Sequence, residues 1–162
     1  MNFSKILEVK SPCRANSTDA GIDFFIPDNT KQFIDSFKEK NPDIVLSVDG
    51  IVIPPQGRVL IPSGIRVDVP KRCAFIAYNK SGVSSKLGLD LLASVVDHGY
   101  QGQIHLSLVN SSTTTAVLRF GMKILQFILI PVRMDSIYEV TDNLLFKEDS
   151  DRGDGGFGST GE

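Results

Sequence analysis

The sequence predicts an all-β fold, in the form of a sandwich, a barrel or a jelly roll. Residues 65–69 and 104–108 alternate apolar with polar side chains, which is the period-two pattern of half-buried antiparallel strands. Prolines and glycines interrupt the apolar runs at short intervals, for example at Pro54, Pro55 and Gly57, as turns between short strands require. With 162 residues, of which 41% are hydrophobic, the chain can enclose one substantial core.

Further strands are predicted where short apolar runs occur between these turn signals. They cover residues 51–53, 59–61, 74–78, 116–118 and 124–130. The last run is almost continuously apolar, so we predict that it forms a buried strand.

One segment has the period of a helix instead. Phe33, Ile34 and Phe37 fall on one face of a helix over residues 30–40, and charged side chains fall on the opposite face. The helix should end before Pro42, because the residue preceding a proline disfavours the helical conformation. We predict a short amphipathic helix that packs on the sheet. The alternative is that its apolar face binds another protein.

The C-terminal stretch differs in composition from the rest of the chain. From residue 147 onward the only large apolar side chain is Phe157, and glycine is frequent. We therefore predict a body over residues 1–146 and a flexible, glycine-rich arm over residues 147–162. Glycine N–H groups, the forked cation of Arg152 and an aromatic ring without packing neighbours suit a ring-bearing anion. We interpret the arm as a lid over a nucleotide, with a disordered terminus as the alternative.

Charge and cysteine content narrow the range of partners. The formal net charge of −2 disfavours a surface that coats nucleic acid. No apolar run is long enough to span a bilayer, and Cys13 and Cys73 alone do not make a disulfide framework. We expect a cytoplasmic protein with reduced thiols that binds neither nucleic acid nor membranes.

Four short patterns in the body carry polar groups suited to chemistry. Asp23 begins a strand after a glycine, and Lys80 with its two successors follows another strand. Asp97 and Tyr100 lie in a predicted hairpin turn over residues 95–102, while Gln126 brings an amide into the apolar strand. Each pattern alone has an ordinary structural explanation, such as a turn-forming aspartate or a locally satisfied strand glutamine.

Taken in this order, and followed by the glycine-rich arm, the four patterns resemble the five motifs of the trimeric dUTPase family. The resemblance extends over most of the chain, and the arm is its most specific part. It implies a jelly-roll or distorted β-barrel subunit, in which the helix is an insertion near residues 28–45. It also implies a homotrimer with active sites at the subunit interfaces. The implied reaction is hydrolysis of dUTP to dUMP and pyrophosphate with Mg²⁺, which limits uracil in DNA.

The resemblance assigns roles on the phosphate side of the site. Asp97 resembles the general base that takes a proton from the water attacking the α-phosphorus. Asp23 resembles an acid on the metal side that acts through Mg²⁺-bound water. The expected contacts of the phosphates and the attacking water are Lys80, Ser81, Gly82 and Gln126.

The resemblance also assigns roles on the base and sugar side. Tyr100 should pack on the deoxyribose and exclude a ribose hydroxyl, and backbone near Val96, Ile104 and His105 should meet the uracil edge. From the arm, Arg152 should pair with the γ-phosphate and Phe157 should stack on uracil. Gly158, Ser159 and Thr160 should supply further backbone and hydroxyl contacts to the nucleotide.

The chain departs from the family pattern at three positions. Lys80 stands where arginine is usual, Asn79 where proline is usual, and Gly99 where a second aspartate is common. Lysine provides a point charge without the bidentate fork of arginine. We nevertheless expect activity, because Asp97, Tyr100 and Phe157 are present.

Two alternatives remain beside the hydrolase. A dCTP deaminase would share the fold, but it needs a glutamate in the pocket, and residues 103–108 carry no acid. A nucleotide-responsive regulatory module would use the apolar face around residues 30–40 to bind a protein. Burial of Phe33 and Phe37 would remove the main reason for the second alternative.

Overall fold

The computed structural model describes residues 1–156. Within that span the chain is mostly β-structure, with two α-helices. The strands are β1 Asn2–Lys5, β2 Ile22–Phe25, β3 Val45–Leu46, β4 Gly50–Ile53, β5 Arg58–Pro62, β6 Ile65–Asp68, β7 Cys73–Asn79, β8 Leu89–Ala93, β9 Val95–Asp97, β10 His105–Asn110, β11 Ala116–Arg119 and β12 Lys123–Pro131. The helices are α1 Lys31–Lys40 and α2 Ser81–Leu87, and a 3₁₀ turn covers Asp142–Leu144.

The described strands form four antiparallel sheets, ordered β2-β12-β7-β9, β5-β10-β8, β11-β4-β3 and β1-β6. This confirms the all-β prediction, and every strand predicted from an apolar run is present. Because the described strands are divided among separate sheets, they do not close into a barrel. The architecture is jelly-roll-like.

Three phenylalanines form the centre of the core under the largest sheet. Phe24 of β2, Phe75 of β7 and Phe127 of β12 are buried, and the ring centroids of Phe24 and Phe127 are 4.4 Å apart. The rings of Phe75 and Phe127 stack at 4.9 Å. Such aromatic clusters contribute large buried areas together with favourable ring geometry. The cluster therefore fixes the sheet whose ends carry the candidate site.

The helix α1 forms where its apolar period predicts it. Thr30 caps its first turn by accepting a hydrogen bond from the Phe33 N–H at 3.2 Å. Phe33 and Phe37 are fully buried, and the Phe33 ring meets Phe120 edge-on with centroids 6.0 Å apart. The two phenylalanines are thus covered by the protein's own core, as predicted, which removes the main reason to expect a partner at this face.

Asn41 fastens the end of α1 to the neighbouring strand β5. Its buried side-chain amide donates to the carbonyls of Phe37 at 2.8 Å and Leu60 at 2.9 Å. Its Oδ1 accepts the Leu60 N–H at 2.7 Å, so the amide pairs with Leu60 as a strand residue would. The N–H and C=O of Leu60 are part-buried, and loss of this side-chain partner would be costly.

A second helix, α2, was not predicted. Only Val83 of its seven residues is buried, and it ends at Gly88 in the left-handed conformation with φ 62°. A side chain there would also meet the Ser112 Cβ at 2.5 Å, so glycine is required. No helix in residues 1–156 is long and apolar enough to cross a membrane.

Candidate active site

Residues 89–97 form one extended segment that pairs first with one sheet and then with another. A cavity, which we call the slot, lies beside this change of sheets. Residues of β8 pair with β10, whereas β9 begins two residues later and pairs with β7. Ser94 lies at the crossover, where its carbonyl accepts the Ala77 N–H at 2.8 Å. The slot, of about 200 Å³, lies between β9 and the start of β10. Phe127 and Leu60 also line it.

Asp97 and Tyr100 lie together at this slot. Asp97 is the last residue of β9, and its carbonyl accepts the Tyr100 N–H at 3.2 Å. The Tyr100 hydroxyl donates to the Gln103 carbonyl at 2.9 Å, which holds the ring against the loop. The predicted hairpin is wrong in one respect, because β9 and β10 belong to different sheets and enclose a cavity instead of pairing. The carboxylate and the ring are both exposed to an incoming ligand.

The residues expected to meet a base line the same slot. Val96, Ile104 and His105 all contribute to its walls. Among the described strands β9 is at the edge of its sheet, so its outer backbone groups have no strand partner there. Burial lowers the pKa of His105 below its ordinary value of 6.5, so the imidazole is neutral near pH 7.

A second cavity collects the residues expected to contact phosphates. It has a volume of about 420 Å³ and is lined by Lys80, Ser81, Gly82 and Gln126, together with Val83, Lys86, Leu87 and Met122. The Gln126 amide donates to the Asn79 carbonyl at 2.9 Å. A Cβ on Gly21 would lie 2.2 Å from the Gln126 Oε1, so only glycine leaves this amide its position. We refer to this cavity as the basic recess.

Asp23 lies beside these residues and is bound by two lysines. In the pairing of β2 with β12, Asp23 lies opposite Gln126. Lys80 binds its Oδ1, and the Lys123 ammonium lies 2.7 Å from its Oδ2. Burial raises the pKa of Asp23, but the hydrogen bonds from Lys123 and Lys80 outweigh it, and the pKa lies below the ordinary 3.8. The carboxylate is therefore ionised and fully paired.

The slot and the basic recess lie at opposite ends of β7. Asp97 pairs with Ala74 near the start of this strand, whereas Lys80 follows its last residue, Asn79. The extended chain takes six residue-to-residue steps from Ala74 to Lys80, which is about 20 Å. The two cavities share no lining residue in the described part of the chain. A single chain thus carries two separate cavities, one at each end of β7.

The start of the arm is described, but most of its predicted contacts are not. Arg152 lies in a turn, where its Nε donates to the Gly155 carbonyl at 2.9 Å. It is exposed, and no described contact joins it to either cavity. The remaining arm residues of the prediction lie outside the described residues: Phe157, Gly158, Ser159 and Thr160.

Comparison with known proteins identifies the family. A family model described as dUTPase matches residues 42–161, which is most of the chain. The chain belongs to the dUTPase family. The deoxyuridine 5'-triphosphate nucleotidohydrolase of Clostridium kluyveri is 32% identical over 152 residues, covering 93% of this chain and 89% of that protein. The protein of the same name from Chlamydia trachomatis is 38% identical over 114 residues, covering 69% and 77%.

Solved dUTPases share the fold. A mutant of the Staphylococcus bacteriophage 80alpha dUTPase, solved with dUpNHpp, matches with a TM-score of 0.77 and 21% identity over 99% of this chain and 98% of that chain. A dUTPase mutant from phage phi11 of S. aureus, described as coordinating a structural Mg(II) ion, matches with a TM-score of 0.69 and 20% identity over 91% and 98%. At this identity the likeness concerns the fold.

The structure adds residues that the dUTPase motifs alone did not indicate. Lys123 was not among the predicted site residues. When β2 and β12 pair, Lys123 lies opposite Phe25, and its side chain reaches Asp23. Lys86, on the last turn of α2, joins the basic recess. Asn79, which replaces the usual proline, donates to the Asp90 carboxylate at 2.5 Å and ties the end of β7 to β8.

Proposed function

We propose that this protein hydrolyses dUTP to dUMP and pyrophosphate, with Asp97 as the general base. The observation that carries the proposal is the slot at the sheet crossover, which combines a free strand edge, a carboxylate and an aromatic ring. A free strand edge offers alternating N–H and C=O groups, which suit the uracil edge. Cytosine presents the opposite donor and acceptor pattern, so buried groups would be left unpaired.

The chemistry assigned to Asp97 needs little beyond position and charge. A carboxylate within hydrogen-bond reach of a water can align it and accept its proton as it attacks the α-phosphorus. The P–O bond to the leaving pyrophosphate then breaks, and cations stabilise the charge that develops on the phosphates. Lys80, Ser81, Gly82 and Gln126 suit that second task, because the basic recess gathers them.

The residues present are compatible with Mg²⁺ held mainly by the substrate. The described residues contain no group of three or more His, Cys, Asp or Glu side chains that could hold a metal ion by themselves. Mg²⁺ commonly binds through one or two carboxylates plus phosphate oxygens, and Asp23 supplies one carboxylate beside the basic recess. When bound, Mg²⁺ would neutralise phosphate charge, and Asp23 would orient it through water.

We further propose that a second copy of the chain completes each site, as in a homotrimer. Asp97 and Lys80 must act on one triphosphate, yet about 20 Å separates them along β7 within a chain. Residues 133–146 are exposed throughout, although they include Ile137 at 97% and Phe146 at 77% exposure. Such an apolar segment suits burial against a neighbouring subunit. Tyr100 and Asp97 of one copy would then face the basic recess of another.

The arm over residues 147–162 would close on the bound nucleotide. Arg152 would leave its local turn and pair with the γ-phosphate, and Phe157 would stack on uracil. Gly158, Ser159 and Thr160 would add hydrogen bonds. Closure of such an arm excludes water and strengthens each electrostatic contact.

Product analysis tests the proposed function. Purified protein with Mg²⁺ should convert dUTP to dUMP and pyrophosphate, and dCTP and dTTP run beside it should remain unchanged. Release of ammonia from dCTP would favour the deaminase alternative. Binding of dUTP without turnover would favour the regulatory alternative, although the burial of Phe33 and Phe37 has removed the surface on which it depended.

A further inference from the structure

The carboxylate of Asp23 is shared between two lysines in different situations. Its side chain is only 5% exposed, and each of its oxygens has its own ammonium partner. A buried carboxylate needs such partners, since an unpaired charge in this environment is strongly unfavourable. With two lysines and one aspartate, the group carries a net positive charge of one, which attracts a polyphosphate.

Lys80 is the partner that a polyphosphate can draw away. It directly follows β7 and lines the basic recess with Ser81 and Gln126, whereas Lys123, although the more exposed of the two lysines, does not line this recess. A lysine has a long, flexible side chain with three rotatable donors, so its ammonium can exchange one anionic partner for another. A bound triphosphate would offer Lys80 several oxygens within the recess that it already lines.

Lys123 is the partner that stays. It does not line the basic recess, and its ammonium has a second contact, 5.9 Å from the ring centroid of Phe25. Phe25 lies directly opposite Lys123 in the pairing of β2 with β12, so the backbone fixes this arrangement. The interaction of a cation with a ring face adds to the ion pair with Asp23.

We propose that Lys123 is a positioning residue that holds Asp23 by its Oδ2 when Lys80 moves to the substrate. The Oδ1 of Asp23 is then free to face the Mg²⁺-loaded triphosphate, while the carboxylate stays ionised and oriented. This inference rests on the proposed function and specifies how the phosphate side of that site is organised. Lys123 acts through Asp23 and does not itself contact the nucleotide.

The test compares Lys123→Met, Lys123→Arg and Lys10→Met in the full-length protein. Lys10 is a matched control, because its ammonium also lies over the Phe25 ring, at 5.8 Å, but is not bonded to Asp23. Titration calorimetry with a non-hydrolysable imido analogue of dUTP, with and without Mg²⁺, separates metal-dependent from metal-independent affinity. The Mg²⁺ concentration that gives half-maximal hydrolysis is a second readout, and thermal unfolding verifies that each variant folds.

Loss of an outer partner of a metal-orienting ligand typically weakens metal affinity or activity by about 10–100-fold. Lys123→Met should reduce the Mg²⁺-dependent gain in analogue affinity by about 10-fold or more. Lys123→Arg should largely restore this gain, and Lys10→Met should match the wild type. In an Asp23→Asn background, Lys123→Met should have no further effect, because the two residues act as one unit. Should Lys123→Met fail to fold, Lys123→Gln provides the same comparison.

The inference is overturned if Lys123→Met retains the wild-type response to Mg²⁺, or if its effect persists undiminished in the Asp23→Asn background. Failure of the proposed function is distinguishable, because the wild-type protein itself would then neither bind the analogue nor hydrolyse dUTP.

Discussion

Lys80 and Asp97 lie next to opposite ends of the strand β7. Asp97 pairs with Ala74 at the beginning of β7, and Lys80 follows Asn79 at its end. The strand is a rigid spacer of about 20 Å between the slot and the basic recess, because its other edge is paired with β12 along its length. Because of this distance, substitutions at the slot and substitutions at the basic recess can be tested independently.

Replacement of Asp97 by asparagine should abolish turnover and leave nucleotide binding in place. Asparagine keeps the size of the side chain but cannot accept a proton from water, and loss of a general base commonly costs 10²–10⁴-fold in rate. We expect kcat for dUTP to fall by at least about 100-fold, with the affinity for a non-hydrolysable analogue little changed. Asp49→Asn is a control for loss of one exposed carboxylate. Near-normal turnover of Asp97→Asn would contradict the assignment of the base.

Tyr100 should control discrimination between deoxyribose and ribose. Tyr100→Ala opens the slot beside the sugar, so the preference for dUTP over UTP in kcat/KM should fall by about 10-fold or more. Tyr100→Phe loses only the hydrogen bond to the Gln103 carbonyl and keeps the ring, so most of the preference should remain. Competition kinetics with both nucleotides measures the ratio. Equal ratios in the wild type and Tyr100→Ala would exclude this role.

His105 should make folding stability depend on pH. Burial lowers its pKa below 6.5; the Gln103 backbone and Glu39 oppose this effect, and Lys40 adds to it. The folded protein therefore holds the neutral imidazole, while the unfolded chain takes up a proton below about pH 6.5. The associated stability is present above that pH and is lost as the pH falls below it.

Between pH 7 and pH 5, His105→Gln should lose less stability than the wild type does. Thermal unfolding at each pH measures this loss. Parallel profiles for the wild type and His105→Gln would show that burial of this imidazole does not have the expected effect.

Asn41 should be among the costliest polar residues to replace. Asn41→Leu leaves the N–H and C=O of Leu60 without their side-chain partner, which should cost about 2–4 kcal/mol of unfolding free energy. For a chain of this size, that corresponds to a decrease in Tm of roughly 5–10 °C. Lys38→Ala, an exposed change on the same helix, should alter Tm by little. A loss below about 1 kcal/mol in Asn41→Leu would indicate that water replaces the amide.

The sequence predicted the parts of the fold that depend on local patterns. One face of each element is buried, and this burial produces the alternation over residues 65–69 and the spacing of Phe33 and Phe37. The strand and the helix could therefore be predicted from these patterns. The helix α2 was missed because Ser81, Gly82 and the serines that follow have weak helical preference. Its ends are determined by contacts with the rest of the chain.

The candidate site was predicted residue by residue, but its arrangement was not. The slot exists because the chain leaves one sheet at Ser94 and joins another. This change depends on long-range strand pairing, which local sequence patterns do not indicate. The same holds for Lys123, whose ion pair with Asp23 exists only after β2 and β12 have paired. The separation of Lys80 from Asp97 likewise depends on which strand pairs with which.

The central claim is that each dUTP site combines the slot of one chain with the basic recess of another. Subunits carrying Asp97→Asn, mixed one to one with subunits carrying Lys80→Met, test it through release of dUMP. Each variant alone should be nearly inactive. A randomly reassembled mixture should regain about a quarter of the wild-type rate, because about three quarters of its trimers are mixed and one of the three sites in each mixed trimer receives both native residues. Activity no greater than that of the two separate variants, in trimers shown to be mixed, would contradict the claim.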